Sequence, residues 1–156
     1  MARILLNIQR CREDVILPEV TNQNAGIDLR VITEDMQPVT IQPHETHKFR
    51  TGIKMDIPEG FYIEVVPRSS VGVKKNLRLL NTVGVLDEGW KGETLVFVEN
   101  MGNEPVTVEN NERLCQMILH KVYPVDINEV EQVGESERGE GGFGSTNFTK
   151  EGVRVL

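Results

Sequence analysis

Alanine is nearly missing from this chain: two among 156 residues, against twenty valines, eleven isoleucines and ten threonines. β-Branched side chains favour the pleated, half-buried surface of a sheet over a helix, so an all-β domain is expected. Two cysteines, Cys11 and Cys115, stand far apart without C-x-x-C spacing, which gives neither a disulfide framework nor a zinc site and suggests reduced thiols in a cytoplasmic compartment. No long apolar run occurs. Residues 4–8 are interrupted by Asn7 and followed by charge, so neither a signal peptide nor a membrane span is expected. Basic residues are the minority, 17 against 24 acidic, and the net charge of −7 argues against capture of a nucleic-acid backbone. A small phosphate ligand stays open if a few cations converge or a metal ion helps. His44, His47 and His120 lack the partner spacing of a metal site.

What is present fits one domain with a single core. A hydrophobic share of 38% with 26% charged residues marks a globular chain rather than a disordered tail. Short strand-like runs recur at 4–9, 13–17, 26–32, 39–42, 46–57, 61–67, 77–80, 92–98, 105–108 and 113–122. Several alternate with period two, as Phe61, Ile63 and Val65 do around Tyr62 and Glu64. About ten short strands separated by Pro and Gly suggest a sandwich or jelly roll. One short helical turn is expected at 69–75. Residues 1–125 make the β domain. From 126 to 156 the composition shifts to an extended, flexible arm.

Four segments carry candidate chemistry. In the tail, RGEGGFGST (138–146) surrounds Phe143 with glycines. Such a loop turns backbone N–H groups around an anion, with Arg138, Ser145 and Thr146 as further donors, while Phe143 suits stacking on a planar ligand or docking on another subunit. The stretch NTVGVLDEGWKGE (81–93) reads as a hairpin whose backbone could recognise the edge of a base. Within it Asp87 is either a general base at a pocket mouth or a turn carboxylate bonded to its own backbone, and Trp90 is either core or a platform. PRSS (67–70) places Arg68, Ser69 and Ser70 at a strand end as phosphate donors or a solvated turn. Asp28, in AGIDL (25–29), could hold Mg²⁺ through water or cap a loop. Gln116, in ERLCQ (112–116), is most simply structural.

In order along the chain, AGIDL, PRSS, NTVGVLDEGW, ERLCQ and RGEGGFGST closely resemble the five motifs of the trimeric dUTPases. The resemblance implies a homotrimer of jelly-roll (β-clip) subunits with active sites between them. Each site would hydrolyse dUTP to dUMP and pyrophosphate with Mg²⁺. It further implies that Asp87 directs water at the α-phosphorus and that Asp28 reaches the metal-bound water. Arg68, Ser69, Ser70 and Gln116 would meet phosphates. Asn81, Gly84 and Leu86 would read uracil, with a backbone contact from Leu95. Arg138, Phe143, Gly144, Ser145 and Thr146 would form a closing arm. The location implied is cytoplasmic, or a host cytosol for a viral chain, with no nucleic-acid or membrane partner. Trp90 stands where the family usually has tyrosine beneath the deoxyribose.

Three other readings compete. The dCTP deaminases share the jelly roll, R-S-S and G-W, but the position of their catalytic glutamate aligns with Phe97, and Glu99 is two residues on. A nucleotide-sensing regulator that binds dUTP would use the same residues as the enzyme. A structural jelly roll without ligand leaves Phe143 and its glycines without purpose.

Overall fold

The computed structural model describes residues 3–136 and 138–141. The chain divides into two units, Met1–Tyr123 and Pro124–Leu156. Among the described residues the first contains all the strands: β1 (Asn7–Arg10), β2 (Ile27–Arg30), β3 (Val39–Ile41), β4 (Thr46–Asp56), β5 (Phe61–Pro67), β6 (Leu77–Leu79), β7 (Gly84–Asp87), β8 (Glu93–Asn100), β9 (Val106–Val108) and β10 (Arg113–Lys121), with the α-helix α1 (Ser69–Lys75). They form two four-stranded sheets, ordered β1-β4-β8-β6 and β2-β10-β5-β7, and a β3-β9 ribbon, with every pair antiparallel. The expected all-β architecture is present. Each sheet has two edge strands, so neither closes into a barrel.

Alternation builds the core. In β8 Thr94, Val96, Val98 and Asn100 are buried between outward Leu95 and Phe97, and in β5 Ile63 and Val65 point inward. Inner faces of both sheets contribute to one cluster, with Phe49, Ile53 and Val98 from one and Leu29, Ile63 and Met117 from the other. Each fully buried aliphatic side chain contributes about 1.5–3 kcal/mol.

Two departures from the expected elements have local causes. No strand forms over 13–17. Its one fully buried side chain is Val15, Arg12 turns to pair with Asp14, and Pro18 ends the run. A 3₁₀ turn at Glu34–Met36, with Asp35 at φ 49°, interrupts what reads as a polar loop. Strand β10 contains a bulge between Arg113 and Cys115 against β2, and consecutive Leu114 and Cys115 are consequently both buried.

Candidate active site

Two recesses in the first unit gather most of the described candidate residues. The larger is an open cleft of about 540 Å³ whose polar lining includes Asp28, Arg30, Arg68, Ser69, Arg113 and Gln116. Strand pairing explains the grouping. Asp28 on β2 lies opposite Gln116 on β10, and Arg30 lies opposite Arg113. Arg68 directly follows β5 and caps α1, and its backbone N–H donates to the Leu114 carbonyl at 3.1 Å. Its Nε stands 2.9 Å from Asp28 Oδ1, and Arg113 Nη1 approaches Asp28 Oδ2 at 3.4 Å. Both carboxylate oxygens are therefore engaged. These pairs are half-exposed, so each contributes at most about 1 kcal/mol and serves to orient more than to stabilise. Three guanidiniums face the cleft against the carboxylates of Asp28 and Glu19, a local cationic surplus in an acidic chain.

Gly26 secures Gln116. A Cβ at residue 26 would stand 2.0 Å from Gln116 Oε1, so only glycine leaves space for that amide, whose Nε2 donates toward the Pro67 carbonyl at 3.4 Å. Behind the cleft the Cys115 thiol is buried. Burial pushes its pKa up to about 12, with a smaller push from the negative charge of Asp28.

The second recess is a pocket of about 140 Å³ between β7 and β8, lined by Asn81, Gly84, Leu86, Thr94 and Leu95 with apolar neighbours. It is close in size to a roughly 150 Å³ apolar cavity that accepts benzene. Strand β7 is an edge strand, and toward β8 the pairing of β6 ends with the Leu80 N–H donating to the Phe97 carbonyl at 2.9 Å, so backbone groups of β7 and of β8 before Phe97 are left for a ligand. The turn entering β7 is tight. Val83 N–H donates to the Asn81 carbonyl at 2.6 Å across Thr82, which sits at φ 61°.

Asp87 ends β7 beside this pocket, opposite Tyr62, with its side chain exposed. Its carbonyl accepts from the Trp90 backbone N–H at 3.0 Å in a turn, but the hairpin expected over 81–93 does not form, because β7 pairs with β5 and β8 with β4 and β6 in the other sheet. Trp90 is 51% exposed, so it is not a core residue. Ser70 lies in α1 and lines neither recess. Glu99 also lines neither and is held by Arg78 at 2.6 Å. In the second unit, Arg138 Nε donates to the Gly141 carbonyl at 2.7 Å. Phe143, Gly144, Ser145 and Thr146 lie outside the described residues.

Arg30, Arg113, Gly26 and Thr94 were not among the sequence candidates. Arg113 lies within the ERLCQ segment, but regular alternation puts it on the face opposite Gln116. The bulge brings both to the same cleft.

Among the described residues no cluster of three or more His, Cys, Asp or Glu side chains gathers to hold a metal ion, and no helix is long and apolar enough to cross a membrane.

Comparison with known proteins adds the following. The dUTPase family model matches residues 13–147. A deoxyuridine 5′-triphosphate nucleotidohydrolase of Clostridioides difficile is 38% identical over 144 residues, covering 92% of this chain and 98% of the relative. One of Finegoldia magna is 40% identical over 125 residues, covering 80% and 86%. In fold, the chain is similar to a Staphylococcus bacteriophage 80alpha dUTPase solved with dUPNHPP, at a TM-score of 0.79 and 23% identity over 90% of this chain and 97% of that one.

Proposed function

The chain belongs to the dUTPase family, and from that premise we infer that it is an enzyme hydrolysing dUTP to dUMP and pyrophosphate, with its two recesses taking opposite ends of the nucleotide. The observation that carries this reading is the division of chemistry. A ring-sized pocket with free strand edges suits uracil, and a cleft with three guanidiniums suits phosphates. The two share no lining residue. That supports a homotrimer of jelly-roll subunits in which the cleft of one protomer meets the β7 edge of its neighbour.

Asp87, exposed at the end of β7, accepts a proton from a water molecule and aims its oxygen at the α-phosphorus. The new O–P bond forms as the bond to the bridging oxygen breaks, and pyrophosphate leaves in line. Such a transfer depends mainly on positioning and charge neutralisation, which Arg68, Ser69 and Gln116 supply, with Arg30 and Arg113 lining the same cleft. Arg138 meets the terminal phosphate. Phe143 with Gly144, Ser145 and Thr146 covers the base and excludes bulk water. Trp90 supports the sugar.

The residues fit Mg²⁺ in one way only. Both oxygens of Asp28 are already taken by arginines, so the ion would be held by triphosphate oxygens and water, with Asp28 as an outer contact. When bound, it would add charge neutralisation to the triphosphate.

The test is Asp87→Asn, assayed for dUTP binding and for pyrophosphate release with Mg²⁺. Retained binding with turnover lost is expected, and unchanged turnover rejects Asp87 as the base. Wild-type protein should release pyrophosphate from dUTP well ahead of dTTP, dCTP and UTP, and ammonia from dCTP would reverse the assignment.

A further inference from the structure

Asp87 and Trp90 are the two ends of a single turn, with Glu88 and Gly89 between them. That turn leaves the end of an edge strand. β7 has a neighbour on one side alone, β5, and its last paired residue is Asp87, opposite Tyr62. A strand end of this kind frays unless something beyond the ladder holds it. Asp87 is exposed, so the backbone that carries it decides where its carboxylate points.

Two charged side chains supply the hold, and both reach the short connection between β4 and β5. Glu88 Oε2 accepts from the Gly60 N–H at 2.8 Å, and Lys91 Nζ stands 2.5 Å from Asp56 Oδ1. Asp56 ends β4 and Gly60 immediately precedes β5, with the buried Ile57 between them. The connection closes in a turn of its own. The Phe61 N–H donates to the Pro58 carbonyl at 3.1 Å, and Gly60, at φ 76°, takes the left-handed third position. The N–H of that position belongs to the central peptide, which makes no hydrogen bond inside the turn. Glu88 takes this donor. The Gly60 carbonyl accepts from the Val122 N–H at 2.8 Å, just past β10, so both backbone groups of Gly60 are engaged and Glu88 is tied to a fixed point.

The two ties are not equal. A carboxylate that accepts from a backbone N–H makes a charge-assisted bond to a donor already held in place, whereas the Lys91 and Asp56 side chains are both more than half exposed and their attraction is screened by salt. Glu88 is the stronger tie and adjoins Asp87.

We propose that Glu88 is a positioning residue for the hydrolysis: by accepting from the Gly60 N–H it fixes the Asp87–Trp90 turn against the β4–β5 connection and so aims the Asp87 carboxylate. The inference rests on reading Asp87 as the base. Glu88 itself moves no proton. Its role needs only an acceptor oxygen at the end of a side chain of this length, which a glutamine amide also carries.

Glu88→Ala and Glu88→Gln separate a tether from a charge, with kcat and KM measured on dUTP and hydrogen exchange followed at the Gly60 amide by NMR. For Glu88→Ala we expect exchange at Gly60 to quicken several-fold and kcat to fall about three- to tenfold, with KM within about twofold of wild type, because the base is displaced and nucleotide binding is not. Glu88→Gln should restore slow exchange and most of kcat. Unchanged exchange at Gly60 in Glu88→Ala overturns the proposal, as does quickened exchange with an unchanged kcat. A glutamine variant as slow in turnover as the alanine one also overturns it, since the negative charge beside Asp87 and not the bond would then matter. Absence of dUTP turnover in the wild-type protein would take the reading of Asp87 down, and the proposal with it, and is seen in the wild-type arm alone.

Discussion

The indole of Trp90 folds back over Gly92 so closely that a Cβ on residue 92 would stand 2.4 Å from Cζ2 and 2.9 Å from both Cε2 and Cη2. Gly92 does not occupy the left-handed region, so alanine fits its backbone and the clash must be relieved by the ring. The backbone of Trp90 is tied to Asp87 by the turn hydrogen bond from its main-chain N–H to the Asp87 carbonyl. In any nucleotide the sugar lies between base and α-phosphorus, so the function proposed above puts it between the β7 pocket and the Asp87 carboxylate.

Gly92→Ala should therefore move the platform without unfolding the protein. Trp90 is the only tryptophan, so its emission reports the shift directly. Acrylamide quenching should increase, stability should stay within about 0.5 kcal/mol, and the preference for dUTP over UTP should fall about tenfold. Unchanged quenching would show that Gly92 does not seat the ring.

Gly26 and Gln116 form a second such pair in the cleft. Gly26→Ala drives the amide out of its position, so it should raise KM for dUTP about as much as Gln116→Ala does. Because both act on one group, the double variant should be no worse than the more severe single one. Additive losses in kcat/KM would mean that Gly26 acts through some other contact.

How much of this was legible in the sequence depends on which residues obey a simple period. Strand β5 and helix α1 have the bounds their patterns suggest, because Ile63 and Val65 alternate cleanly and Asn76, at φ 52°, stops the helix. The run at 13–17 looks like a strand only because its valine, isoleucine and leucine are apolar. In the structure Val15 alone is fully buried there. Arg113 was hidden by a bulge that no spacing rule anticipates.

Thr82 offers a test of backbone strain. A β-branched residue at φ 61°, spanned by the short Asn81–Val83 hydrogen bond, is unfavourable by about 1–3 kcal/mol. Thr82→Gly relieves this strain and loosens the turn into β7 through the unfolded-state and loop entropy of glycine. Stability should hold or rise by about 1 kcal/mol, while KM for dUTP rises several-fold. A variant that loses stability and keeps its KM would show that the turn is not strained in favour of the pocket.

The buried thiol of Cys115 sets a limit at the alkaline end. Burial, with a smaller contribution from Asp28, raises its pKa from the ordinary 9.0 to about 12 in the folded chain. Between those values the unfolded chain releases a proton that the folded one keeps, so ionisation favours unfolding. The stabilisation is complete below pH 9 and is lost as pH rises toward the folded value, at up to about 1.4 kcal/mol per pH unit. Cys115→Val removes the titrating group from beside Leu114 and Met117 with little change in size. Urea unfolding at pH 8, 9, 10 and 11 should show a steep decline in wild type and a shallower one in the variant, whatever the difference between them at pH 8. Parallel declines would mean that other groups carry the alkaline loss.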